Sequence, residues 1–179
     1  MTGRLLAVPP LTLDELRALG EINVSFQLLE DVIRALAWNL ISSHPHDRKL
    51  GEIATARLSF DGLVHTVNWL FRYHHPGDPR AEELAGLLRQ ALDFEGSKRN
   101  SVIHAMWARD DATPEGHITR VKLPHGNLKK PYERKTEHVT AADLFTRARE
   151  IQALAAQIAG FNMGYGSSFD RWDKKRDEP

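Results

Sequence analysis

The chain has 179 residues and a mass of 20.3 kDa, enough for one domain with a real core and too little for two comfortable ones. Hydrophobic residues make up 41% of it and charged residues 27%, a balance that gives no ground for a disordered or fibrous chain. Its 24 basic residues offset 24 acidic ones, so a nucleic-acid partner would have to be met by a local basic patch. With no cysteine, disulfide frameworks and thiolate metal sites are excluded, which agrees with a cytoplasmic setting.

The opening MTGRLLAVPP holds too short an apolar run for a signal peptide. Nowhere is there an uninterrupted apolar stretch of membrane-spanning length, so no transmembrane segment is expected.

Thr12 followed by Glu15 is a capping-box pattern, with Leu11 and Leu16 spaced for a hydrophobic staple, so a helix is expected to start there. Leu29, Val32, Ile33, Leu36 and Leu40 carry its apolar stripe to about Ile41, with Gly20 a place where it can bend. A second helical segment runs from about Lys49 through Ile53, Leu63, Val67, Leu70 and Phe71 to HHPGDP, with Gly62 as its weak point. Asp78-Pro79 starts a third, because proline in a first helical turn lacks only an N–H that would have had no partner. That helix carries Leu84, Leu87, Leu88 and Leu92, is expected to loosen at Gly96 and Ser97, and resumes through Val102, Ile103 and Met106.

The period then changes. HITRVKL sets Ile118, Arg120 and Lys122 against Thr119, Val121 and Leu123, and PHGN followed by KTEHV completes a two-stranded hairpin within about 115–139. Thr140 with Asp143 caps a fourth helix through Leu144, Ala148, Ile151, Ala155 and Ile158, which Gly160 is expected to end. Residues 161–179 read as an irregular tail. The fold expected is mainly α: an up-down four-helix bundle over 1–160, with the hairpin inserted between its third and fourth helices.

The chemistry-bearing stretch is KRNSVIHAMW, Lys98 to Trp107. At 100° per helical residue, Asn100, His104 and Trp107 share a sector of about 60°, while Val102 and Met106 point the other way. Arg99 lies about 140° from His104, a gap that its length lets it partly fold back across. The same spacing recurs from Arg120 to His125, but there the intervening VKLP belongs to a strand and a proline turn. A helix restarting near Ser97 would also offer amides to an anion.

Arg99, Asn100 and His104 resemble the signature of the HEPN superfamily, an arginine and a polar residue followed after a short gap by a histidine on the third helix of an all-α bundle. The trailing His-Ala-Met-Trp is similar to the motif ending in its bacterial members. The resemblance implies metal-independent RNA cleavage by 2′-hydroxyl attack, in a toxin or defence role, with two third-helix motifs facing each other across a homodimer and a possible antitoxin partner. It also implies no cofactor. The residue types suit that reaction: His moves protons near neutral pH, Arg grips phosphate oxygens bidentately, and Asn orients either one. The same family includes non-catalytic modules that dimerise or bind a nucleotide or partner, and this is the alternative.

Outside the motif, Arg120, Lys122, Lys129, Lys130, Arg134 and Lys135 form the one dense basic stretch in a neutral chain. It reads either as an RNA-gripping hairpin or as a solvated ribbon whose cations discourage strand addition. His44 with His46, and His74 with His75, sit at proline-containing breaks without acidic or thiol partners in ligand spacing, so no metal site is expected. Trp38, Trp69 and Trp172 are expected to pack against the body.

Overall fold

The computed structural model describes residues 11–42, 48–103, 105–108, 113–122 and 135–176, the last sixteen of these as backbone. It is mainly helical, with a small antiparallel sheet. Helix α1 (Leu13–Ile41) starts at the expected capping box: the Glu15 amide donates to Thr12 Oγ1 at 3.3 Å, and the Thr12 amide donates to Glu15 Oε2 at 2.7 Å. The helix passes Gly20 uninterrupted. Leu11 packs on the core while Leu16 is exposed, which departs from the expected staple.

The second predicted helix is two helices, α2 (Arg48–Thr55) and α3 (Phe60–His74). The break falls before Gly62, because the Ser59 hydroxyl accepts from the Gly62 amide at 3.1 Å and so caps a new helix. Ile53, expected in the apolar stripe, is exposed. Helix α2 docks across the end of α1: Trp38 Nε1 donates to Thr55 Oγ1 at 2.8 Å, and Arg34 Nη1 donates to the Thr55 carbonyl at 2.9 Å. A Cβ added to Gly51 would lie 2.8 Å from Trp38 Cα, so only glycine permits this approach.

Helix α4 (Arg80–Phe94) follows Pro79, and Asp78 Oδ1 accepts from the Arg80 amide at 2.9 Å in place of an intrahelical partner. At Gly96 and Ser97 the helix widens into a π turn (Glu95–Arg99), in which the Asn100 amide donates to the Glu95 carbonyl. A short α5 (Asn100–Ile103) ends the segment. Met106 and Trp107, expected on the helix, lie instead in strand β1 (Met106–Ala108), which pairs antiparallel with β2 (Ile118–Lys122). Strand pairing to β2 satisfies their backbone in place of the helix. Strand β3 (Lys135–Val139) pairs with β2 in turn, so the predicted hairpin is present and gains a third strand.

Helix α6 (Ala141–Arg176) begins at the predicted cap and runs past Gly160, so residues 161–176, expected to be irregular, are helical. Helix α1 packs against α6, α3 and α2, and α4 lies against α3 and α6. Ile22, Leu29, Ile33, Leu63, Leu84, Leu144 and Ile151 are fully enclosed between them. The sheet joins this core through Ile118 and Val139, register partners that are both buried. Among the described residues, no helix is long and apolar enough to cross a membrane.

Candidate functional site

Arg99 closes the π turn and Asn100 opens α5, so the two polar residues of the motif stand at a helix irregularity between α4 and the sheet. A π turn adds a residue to the backbone ring and shifts the phase of everything after it, and such turns are frequent at functional sites. The expected sector of Asn100, His104 and Trp107 is interrupted after the turn, because α5 ends at Ile103 and Trp107 belongs to β1. Asn100 no longer shares a helix face with Trp107, whose indole Nε1 turns back from β1 to donate to the Val102 carbonyl at 3.0 Å. His104 lies outside the described residues.

The half-buried Arg99 rests on an aromatic floor. Its guanidinium carbon is 4.8 Å from the centroid of the Phe26 ring, and Phe26 is itself 4.7 Å from the ring of Phe60. A cation over a ring face is attracted by the ring's quadrupole, more so where water is partly excluded. Burial pushes the Glu95 carboxyl above its ordinary range; Arg99 opposes that shift, and Asp61 and Glu30 reinforce it. Glu30 accepts from Arg34 Nη2 at 2.5 Å, and Asp61 lies 3.5 Å from His65 Nε2. The arrangement joins a guanidinium whose position is fixed by a ring face to a carboxyl that holds its proton to higher pH than usual.

Sequence reasoning did not reach Phe26, Glu30, Asp61 or Glu95. Glu95 stands four residues before Arg99, the spacing of helical ion pairs, and that was the one available signal. Phe26 meets Arg99 only through the packing of α1 on the π turn, and Glu30 and Asp61, from α1 and α3, act on Glu95.

The basic hairpin divides. Arg120 is turned inward: its Nη2 donates to Glu137 Oε2, and Arg147 from α6 bonds the other Glu137 oxygen at 2.9 Å. Among the described residues its Nη1 is buried without an acceptor. Glu137, held by both arginines, ties the sheet to α6. Lys122 and Lys135 are direct partners in the β2–β3 register. Lys129, Lys130 and Arg134 lie outside the described residues.

His74 and His75 have ring centroids 6.4 Å apart, and His44 and His46 lie outside the described residues. Among the described residues, no three of His, Asp and Glu converge as a metal site would need. Trp38 is held by Thr55 as above, but Trp69, expected to pack, is 75% exposed on α3. No family model matches the chain, and no curated protein or solved structure matches it either.

Proposed function

We propose that the chain is a HEPN-like, metal-independent endoribonuclease of toxin or defence type, acting on cytoplasmic RNA as a homodimer through its motif-bearing faces. In this reading α1, α3, α4 and α6 are the four helices of an up-down bundle, and the motif follows the third of them. The observation that carries it is the junction of Arg99 and Asn100 at a π turn, on the Phe26 ring and beside a carboxyl pushed up by burial. Cleavage needs a cation to hold the phosphate oxygens and groups that move protons. Arg99 supplies the first and His104 the second, with Asn100 orienting one of them. The nucleophile is the substrate's own 2′-hydroxyl, which leaves a 2′,3′-cyclic phosphate and a 5′-hydroxyl. Lys122, Lys129, Lys130, Arg134 and Lys135 would grip neighbouring phosphates.

A second reading is a non-catalytic HEPN-like module that dimerises or binds a nucleotide or partner such as an antitoxin. It is favoured by the same Phe26 contact, because an arginine engaged by a ring face can serve as an anchor. The deciding experiment incubates the purified chain with single-stranded RNA in EDTA and identifies the ends. Cyclic-phosphate ends that vanish in His104→Ala and Arg99→Lys, with no cutting of the all-deoxy strand, support the nuclease. RNA bound but left whole supports the module.

A further inference from the structure

The face of α1 turned away from the core is also apolar. At 100° per residue, Leu13, Leu16, Gly20, Val24 and Leu28 fall in a sector of about 120°, opposite Ile22, Leu29 and Ile33. Leu13 is 79% exposed, Leu16 53%, Val24 68% and Leu28 49%. A Cβ at Gly20 would meet nothing within 4 Å, so the stripe has an open notch between Leu16 and Val24. A row of large apolar side chains on the solvent side of a helix marks an interaction surface. Phe26 and the Arg99 cluster lie on the core side, so this surface is separate from the motif.

We infer that the stripe is a two-fold interface with a second copy of this chain, additional to the motif-face contact proposed above and independent of it, the two α1 helices running antiparallel and crossing at Val24. The charges and shapes along the stripe are self-complementary about that residue. Gly20 lies one turn before Val24 and Leu28 one turn after, so each Leu28 enters the notch at the other copy's Gly20. Arg17 lies two turns before Val24 and Asp31 two turns after, in the same sector, and both are exposed. Antiparallel packing brings each Arg17 onto the other copy's Asp31, whose Oδ1 also accepts from Gln27 at 3.1 Å. Parallel packing would set Arg17 on Arg17 and Asp31 on Asp31. A two-fold axis makes every such contact occur twice.

The test is the mass of the full chain in solution, by light scattering across a concentration series. Val24→Arg sets two cations on the axis, and its mass should be half that of the wild type at equal concentration. Arg17→Glu or Asp31→Arg alone should raise the dissociation constant roughly tenfold, since attraction becomes repulsion at two symmetric pairs. The double variant Arg17→Glu with Asp31→Arg should return to the wild-type value. All these positions are exposed, and unchanged melting would show that folding is intact. The chain has no cysteine, so Val24→Cys treated with a short bis-maleimide should give one covalent dimer. A mass unmoved by Val24→Arg, a double swap that fails to recover, or Val24→Cys that yields only modified monomer would overturn the interface.

Discussion

The Arg99 guanidinium lies on one side of the Phe26 ring while Phe60 tilts against that ring at 52°, so a single buried phenylalanine joins the motif to the start of α3. The contact couples a surface charge to the core. Phe26 is 1% exposed and sits among the largest enclosed side chains, so its shape serves the packing of α1 and its quadrupole serves Arg99.

Replacing Phe26 by leucine keeps most of the apolar volume and removes the ring. Denaturant unfolding should show a loss of about 1–3 kcal/mol, from imperfect repacking together with the lost cation–ring attraction. Arg99→Ala should lose less, and the double variant should lose less than the two single losses added together, because both remove one interaction. Strict additivity would mean that the ring and the guanidinium do not interact.

Gly51→Ala should destabilise the docking of α2. The added methyl would stand 2.8 Å from Trp38 Cα and 3.0 Å from Trp38 Cβ, backbone and near-backbone atoms that cannot swing aside. A loss of about 1–3 kcal/mol is expected, although alanine is the better helix former. Trp38 fluorescence should shift as its indole loses Thr55. A variant more stable than wild type would show that α2 is free to move away without cost.

How much of this was legible in the residues depended on how local the deciding interaction was. Thr12 with Glu15, and Thr140 with Asp143, announce their helices because each cap is complete within four residues. The period-two pattern of HITRVKL likewise gave β2. The split before α3 was missed because Leu58 to Phe60 continues an apolar stripe, and only the Ser59 cap marks the interruption. The end of the motif helix was missed because Met106 and Trp107 fit a helical period as well as a strand; their pairing with Val121 and Arg120 is a long-range fact. Glycine at position 160 suggested a stop, yet nothing after it requires a left-handed turn, and α6 continues. The Arg99 site was half legible, since Arg99 and Asn100 were found by motif while the Phe26 ring comes from another helix.

Thr140→Ala should cost about 1 kcal/mol, as helix caps usually do. The Asp143 amide donates to Thr140 Oγ1 at 3.1 Å, while the Thr140 amide and hydroxyl donate to Asp143 Oδ2 at 2.9 and 2.8 Å. The Thr140 backbone bond, then its side-chain bond, holds the Asp143 carboxyl below the ordinary aspartate range. A depressed carboxyl adds stability above the unfolded-state value, about 3.9, and loses it as pH falls through the folded value. The melting difference between wild type and Asp143→Ala should therefore narrow below about pH 4. A difference constant from pH 7 to pH 3 would show that the cap does not depend on charge.

Glu95→Gln should behave in the opposite sense. Burial raises the Glu95 carboxyl, and the neighbouring Arg99 offsets that only in part, with Asp61 and Glu30 adding to the rise. A carboxyl raised in the folded state favours folding below its unfolded value and loses that contribution as pH climbs through the folded value, so at pH 7 the ionised form is a net cost. Glutamine keeps the shape and carries no charge to desolvate. Melts at pH 7 should show the variant slightly more stable, by no more than about 1 kcal/mol at this half-exposed position. The gain should shrink toward pH 4, where the wild-type side chain takes up its own proton. A variant less stable than wild type at pH 7 would mean that pairing with Arg99 outweighs burial, and that Glu95 is held ionised beside the motif.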